Sequence, residues 1–353
     1  MTTPRLDTIW YTRCPVPTPL GLAAKLGWFD AEFAPDGIAI KSLREVGEAS
    51  QHESHYDHSL EHSFRQGGSV PAIWARSLGR TTRVIGLNWL DEFQGVVALP
   101  ASGITTPAGL AGRRLGLPRH QNSIDFGRAG ALRGLTAALS LGGVAESDVT
   151  FTDIVVPRRA NSDALRKLGF PFTLQGGGYG EQFHALIRGE VDAIFVKGAG
   201  GAQLAHQLGA IVVADIATHP DPTARSNNGV PRPITVDQGL IDARPDLVER
   251  FLARIVDVGA WAVDHAAEAT AYIAKESASA EAWVTHAYGG DVSTNLTTAL
   301  DERSIAALGA FKTFLFERGF LQADFSVEEW IYPDTLAAVL AARAAAPQLE
   351  VAQ

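Results

Sequence analysis

Glu181-Gln182-Phe183-His184-Ala185-Leu186-Ile187-Arg188-Gly189-Glu190-Val191-Asp192-Ala193-Ile194-Phe195-Val196 is the stretch that decides how the chain is read. It reads as a helix, a glycine turn and then a buried strand, the repeating half of an α/β unit. The same alternation runs outward in both directions. Towards the N-terminus, Leu6–Tyr11 reads as a strand, Leu20–Phe29 as a helical stretch and Gly37–Leu43 as a second strand. Val70–Leu78 follows as a helix, with Thr82–Leu87 and Val96–Leu99 as buried strands. A turn-rich segment, Ser102–Pro107, precedes a new strand near Leu115, a helix over Ala129–Leu141 and a strand over Val149–Val156. Towards the C-terminus, Ile211–Ile216 supplies a strand, and after the Pro/Asn/Gly-rich stretch His219–Pro233 the pattern is helical through Leu247–Ile273 and Ala299–Arg318.

This pattern predicts an α/β chain whose parallel or mixed sheets are covered on both faces. It is read as two lobes around a ligand cleft, the periplasmic-binding-protein-like architecture, with residues 1–99 and 217–353 in one lobe and 100–216 in the other. One doubly wound domain with a helical tail is the alternative.

Composition bounds the function. The chain has 353 residues with Lys+Arg 30 against Asp+Glu 39, a formal charge of −9, which gives no attraction for polyphosphate and argues against nucleic acid as a partner. The first residues contain no apolar segment of a secretory leader, so a cytoplasmic location is expected. No apolar run reaches the roughly 20 residues of a membrane span. Cys14 is the single cysteine, which excludes an intramolecular disulfide and a cysteine-based zinc cluster.

Cys14 follows the first strand in Tyr11-Thr12-Arg13-Cys14-Pro15-Val16-Pro17, where open α/β sheets border their ligand crevice. Arg13 and the amides of a following helix would favour thiolate; the other reading is a buried, inert thiol. Pro19 complicates this, because it places the helix start at Thr18 and takes the dipole away from Cys14. His52, His55, His58 and His62 form the densest ionisable cluster. Three readings are open there: a metal site with Asp57 or Glu61, a solvated polar loop, or catalytic use of one imidazole. Arg65-Gln66-Gly67-Gly68 offers a guanidinium fork and two unobstructed amides before an apolar helix, a combination suited to a small oxyanion or, alternatively, a surface turn. Gly176-Gly177-Gly178-Tyr179-Gly180 and Gly198-Ala199-Gly200-Gly201 lack the Lys-Ser/Thr ending of a phosphate loop, and the first suits a mobile loop or lid. Phe126, Phe183, Phe195 and Tyr179 are candidates for an aromatic pocket, with ordinary packing as the alternative; the seven tryptophans read as core or interface.

Cys14-Pro15-Val16-Pro17, His55 ten residues before Arg65, and Arg65-Gln66-Gly67-Gly68-Ser69-Val70-Pro71 together resemble the 2'-hydroxybiphenyl-2-sulfinate desulfinases of bacterial dibenzothiophene desulfurisation. The likeness runs over nearly the whole chain, including Leu110–Gly116, Gly189–Ala193 and Arg244–Val248. It implies a type II periplasmic-binding-protein-like fold and a cytoplasmic, cofactor-free hydrolase acting on a carbon–sulfur bond, with a small aromatic sulfinate as substrate and a monomer as the working form. Cys14, His55 and Arg65 would be its catalytic residues, with Arg65, Gly67 and Gly68 holding the sulfinate and no metal. The sequence departs from the family in His52, His58, His62, Pro19 and the Lys197–Gly201 stretch, where the family carries bulkier aromatics. A non-catalytic binding protein for a sulfonate or similar oxyanion is the competing expectation, and a metal hydrolase using the histidine cluster a third.

Overall fold

The computed structural model describes residues 6–43, 51, 53–157 and 178–345. His52, Gly176 and Gly177, singled out above, lie outside the described residues. Among the described residues ten strands form two five-stranded sheets. The first contains β1 (Thr8–Arg13), β2 (Ala39–Ser42), β3 (Ser63–Gln66), β4 (Thr82–Asn88) and β10 (Arg232–Asp237), in the order β2-β1-β3-β10-β4. The second contains β5 (Gln94–Ala98), β6 (Arg114–Arg119), β7 (Thr150–Val155), β8 (Ala193–Lys197) and β9 (Ile211–Asp215), in the order β7-β6-β8-β5-β9. The architecture is therefore two α/β units, as the alternation predicts.

Each sheet holds one strand that runs against both its neighbours: β10 lies antiparallel to β3 and β4, and β5 antiparallel to β8 and β9. These are the strands fed by the two crossings of the chain between sheets. A strand arriving from the other sheet is not the return strand of a long βαβ crossover within its own sheet, and both insert antiparallel. β5 belongs to the second sheet although it precedes residue 100, where the turn-rich segment suggested that the second unit begins. The chain changes sheets at residues 89–93.

Two helices occupy the expected Leu20–Phe29 stretch, Pro19–Lys25 and Trp28–Phe33, because Gly27 between them is left-handed at φ +73°. The Thr18 hydroxyl caps the first, accepting from Gly21 N–H, with Pro19 at the first helical position.

The long Pro245–Asp264 helix lays Leu247, Val248, Phe251, Leu252, Ile255 and Val258 against the first sheet. Phe251 stacks on Phe29 at 4.0 Å and on Phe64 at 3.8 Å between centroids. Phe64 of β3 thus points into the core, and strand alternation sends its neighbour Arg65 to the opposite face. That single register decides where the guanidinium goes.

Candidate active site

Arg65 pairs across the sheet with Thr12 of β1 and with Thr235 of β10, so three buried polar residues form one row on one face. The short helix Ser54–Asp57 sits over this row. Thr12 Oγ1 lies 2.7 Å from His55 Nδ1, and Arg65 Nε donates to the His55 carbonyl at 3.0 Å. Thr235 Oγ1 lies 3.4 Å from His58 Nδ1. The threonines and the arginine are what place the two histidines.

Cys14 leaves the end of β1 with its N–H donating to the Gln66 carbonyl at 3.3 Å, continuing the ladder with β3 for one more step. Its Sγ stands 3.6 Å from His55 Nε2 and accepts the Gly68 N–H at 3.5 Å. Gly68 is the N-cap of the helix Ser69–Ser77. The helix start that faces the sulfur is therefore this one, 54 residues downstream, while the helix at Pro19 starts too far along to serve. Gly67 is required by contact: a Cβ there would come within 2.3 Å of Sγ.

Burial alone would push the Cys14 thiol up. The charge and hydrogen bond of His55, the Arg65 guanidinium and the Gly68 amide outweigh it and bring the thiol down to about 6. Near neutrality the Cys14 sulfur is thus mainly thiolate. His58 behaves oppositely: burial, then Arg65, His55 and Arg80 push it well below the ordinary imidazole range and keep it uncharged.

Arg65 is 2% exposed, and neither Nη1 nor Nη2 has a hydrogen-bond partner among the described residues. Buried donors are almost always satisfied, and a guanidinium fork beside a thiolate and a helix N-terminus fits a bidentate oxyanion. Burial lowers the Arg65 pKa and Cys14 raises it, each charge supporting the other.

The structure brings together Cys14, His55, Arg65, Gly67 and Gly68, all five expected from the sequence. It does not bring together the histidines as a ligand set. His58 ends the short helix with a left-handed backbone at φ 52°, and His62 beyond it is left-handed too at φ 53°, so the three histidines do not follow one another along a helix. Among the described residues no three His, Cys, Asp or Glu side chains come together as metal ligands. Phe183 and Phe195 are core residues at 2% and 4% exposure, and Tyr179 takes the Lys197 N–H at 3.0 Å. Phe126 alone of the aromatic candidates approaches the site, stacking at 6.2 Å on Tyr56, whose ring stands edge-on to His55 at 5.0 Å. Gly198–Gly201 opens the helix Gly198–Gln207. Thr12 was legible only as a strand residue; the sole sequence signal for it is its position two residues before Cys14.

The chain matches no family model. Its two-sheet fold is that of solute-binding proteins. It superposes on the periplasmic aliphatic sulphonate binding protein SsuA from Escherichia coli with a TM-score of 0.66 at 13% identity, over 93% of this chain and 92% of that one. Within that architecture the likeness to one enzyme is stronger. The chain is 29% identical to the 2'-hydroxybiphenyl-2-sulfinate desulfinase of Rhodococcus erythropolis, over 94% of this chain and 93% of the relative, and equally so to that of Rhodococcus qingshengii. It superposes on a cysteine-to-serine mutant of DSZB in complex with biphenyl-2-sulfinic acid with a TM-score of 0.73 and 27% identity, over 96% of this chain and all of that one. The desulfurization enzyme DSZB itself gives 0.74 and 26%, over 96% and 99% of the two chains. The resemblance and the fold class read from the sequence are borne out.

Proposed function

We propose that the protein is a desulfinase that cleaves the aryl carbon–sulfur bond of 2'-hydroxybiphenyl-2-sulfinate, giving 2-hydroxybiphenyl and sulfite, with water as the second reactant. The observation that carries this reading is the convergence of a thiolate, an imidazole and a buried guanidinium with two free Nη donors on a solute-binding scaffold. A binding protein needs the anion donors; it has no need of the cysteine–histidine pair.

In this reading Arg65 grips the sulfinate oxygens with Nη1 and Nη2, and the Gly67–Gly68 turn supplies an amide from the helix end. The arriving anion raises the Cys14 pKa by like charge, so the proton returns from His55 Nε2 to Sγ across their 3.6 Å contact. The thiol then protonates the ring carbon bonded to sulfur. The carbon–sulfur bond breaks with its electron pair remaining on the ring, and sulfur dioxide departs. Water adds to sulfur dioxide to give sulfite, and the proton released restores the cysteine–histidine pair. A nucleophilic alternative has the thiolate attack sulfur, forming a thiosulfonate-type adduct that intact mass measurement during turnover would reveal.

The two sheets with their helices serve as the lobes, 1–99 with 217–353 and 100–216, with β5 moved to the second. No helix among the described residues is long and apolar enough to cross a membrane. A free cysteine with so low a pKa is readily oxidised, which supports residence in the reducing cytoplasm. A monomer suffices, since one chain supplies every group named.

Incubating purified protein with 2'-hydroxybiphenyl-2-sulfinate should release 2-hydroxybiphenyl and sulfite in equal amounts. Absence of turnover, or turnover surviving Cys14→Ser, refutes the reading.

A further inference from the structure

Gly68 gives the helix Ser69–Ser77 no side-chain cap, so the first amides of that helix need acceptors from elsewhere. Asn228 supplies two of them. Its carbonyl accepts the Ser69 N–H at 2.9 Å and its Oδ1 accepts the Val70 N–H at 2.9 Å. Asn228 is itself held: its N–H donates to Asn227 Oδ1 at 2.7 Å, while Asn227 Nδ2 donates to the Gly130 carbonyl at 3.1 Å. The Asn227 carbonyl also accepts the Ser69 hydroxyl at 3.3 Å.

This network leaves the carboxamide one orientation. Val70 N–H is a donor and must meet Oδ1, so Nδ2 is turned away from the helix. Both side-chain atoms lie against the Cα of Gly68: a Cβ there would come within 2.5 Å of Oδ1 and 2.7 Å of Nδ2. Gly68 is the residue whose N–H reaches Cys14 Sγ. Asn228 Nδ2 makes no hydrogen bond among the described residues; the side chain's one bond there uses Oδ1. An amide donor with two protons thus stands against the glycine whose N–H faces the sulfur.

We propose that Asn228 is a further substrate-binding residue: its Nδ2 donates to a sulfinate oxygen alongside the Gly68 amide, while its Oδ1 fixes the helix turn that carries that amide. The proposal rests on the desulfinase reading and adds a donor to it. Arg65 and Asn228 would then share the two oxygens, with the Gly68 amide and Cys14 beside them.

The test is equilibrium binding of biphenyl-2-sulfinate to Cys14→Ser protein, which removes turnover, with Asn228→Asp added. Aspartate keeps an oxygen for Val70 N–H but removes the donor and sets a negative charge beside the anion. Binding should weaken about 30-fold or more with the melting temperature unchanged, since a hydrogen bond to a charged group is at stake. Affinity within about twofold of the parent overturns the proposal, because a residue that only caps the helix would tolerate aspartate. Should Asn228→Asp fail to fold, Asn228→Ala, which keeps the backbone acceptor, decides by the same affinity criterion. No binding by the parent itself removes the desulfinase reading and this proposal together, a result distinct from parent and variant binding alike.

Discussion

Sγ of Cys14 stands 3.6 Å from Nε2 of His55, and the other nitrogen of that ring is 2.7 Å from Thr12 Oγ1. With Thr12 accepting from Nδ1–H, the Nε2 lone pair faces the sulfur and can receive its proton. Thr12 and Cys14 belong to one strand end, so the strand that delivers the thiol also positions its base.

The Cys14 thiol is held at about 6 against the ordinary 9.0. The rate of alkylation by iodoacetamide should therefore rise with pH to a midpoint near 6. His55→Gln removes the principal lowering influence and should move the midpoint up by about one unit or more. A wild-type midpoint near 9 would contradict the geometry.

Arg65→Lys keeps the charge and loses the planar fork. Catalytic efficiency towards the arylsulfinate should fall by roughly 100-fold or more, the scale of losing a preorganised oxyanion donor. Steady-state kinetics returning near-wild-type kcat/KM would show that Arg65 does not grip the sulfinate.

Thr12→Val preserves shape and strand propensity while leaving His55 Nδ1 without its partner. We expect kcat to drop by about tenfold, as one buried hydrogen bond would cost, with KM little changed. An unchanged kcat would mean that His55 is oriented by its packing on Tyr56 alone.

Gly67→Ala puts a methyl where Sγ now lies, 2.3 Å from the new carbon. The cysteine must shift, so activity should be lost while the protein still folds and the thiol still reacts with a disulfide reagent. Retained activity in this variant would place the reacting sulfur elsewhere.

Glu92 is 1% exposed and receives Lys197 Nζ at 2.5 Å and Arg232 Nη2 at 3.1 Å, joining β8 of the second sheet to β10 of the first. Burial pushes the Glu92 carboxyl up, but Lys197 and Arg232 outweigh it and hold the acid below its ordinary 4.5. A depressed carboxyl stabilises the fold fully above that value, and the contribution is lost as pH falls through the lower, folded-state value. Glu92→Gln strands two cations in the interior and should destabilise by about 3–5 kcal/mol in denaturant titrations at neutral pH. It should also flatten the acid limb of the stability profile; an equally steep limb would mean that other carboxylates dominate there.

Much of the fold was legible because helix and strand leave different apolar periods, and the chain alternates them with few exceptions. Local backbone chemistry explains the departures: Gly27 splits one expected helix in two, and left-handed His58 ends the short helix that carries His55. The placement of β5 was not legible, because a short apolar run carries no mark of which sheet will pair with it.

The α/β class, the lone thiol and the guanidinium followed by two glycines are legible in the chain alone, since they depend on residue identity and spacing over a few turns. That Arg65 shares a face with Thr12 and Thr235, that the helix start aimed at Cys14 belongs to Gly68, and that Asn228 closes that turn emerge from the packed fold. Strand register and helix direction are settled by packing between segments dozens to more than a hundred residues apart, and no local pattern records which segments will meet.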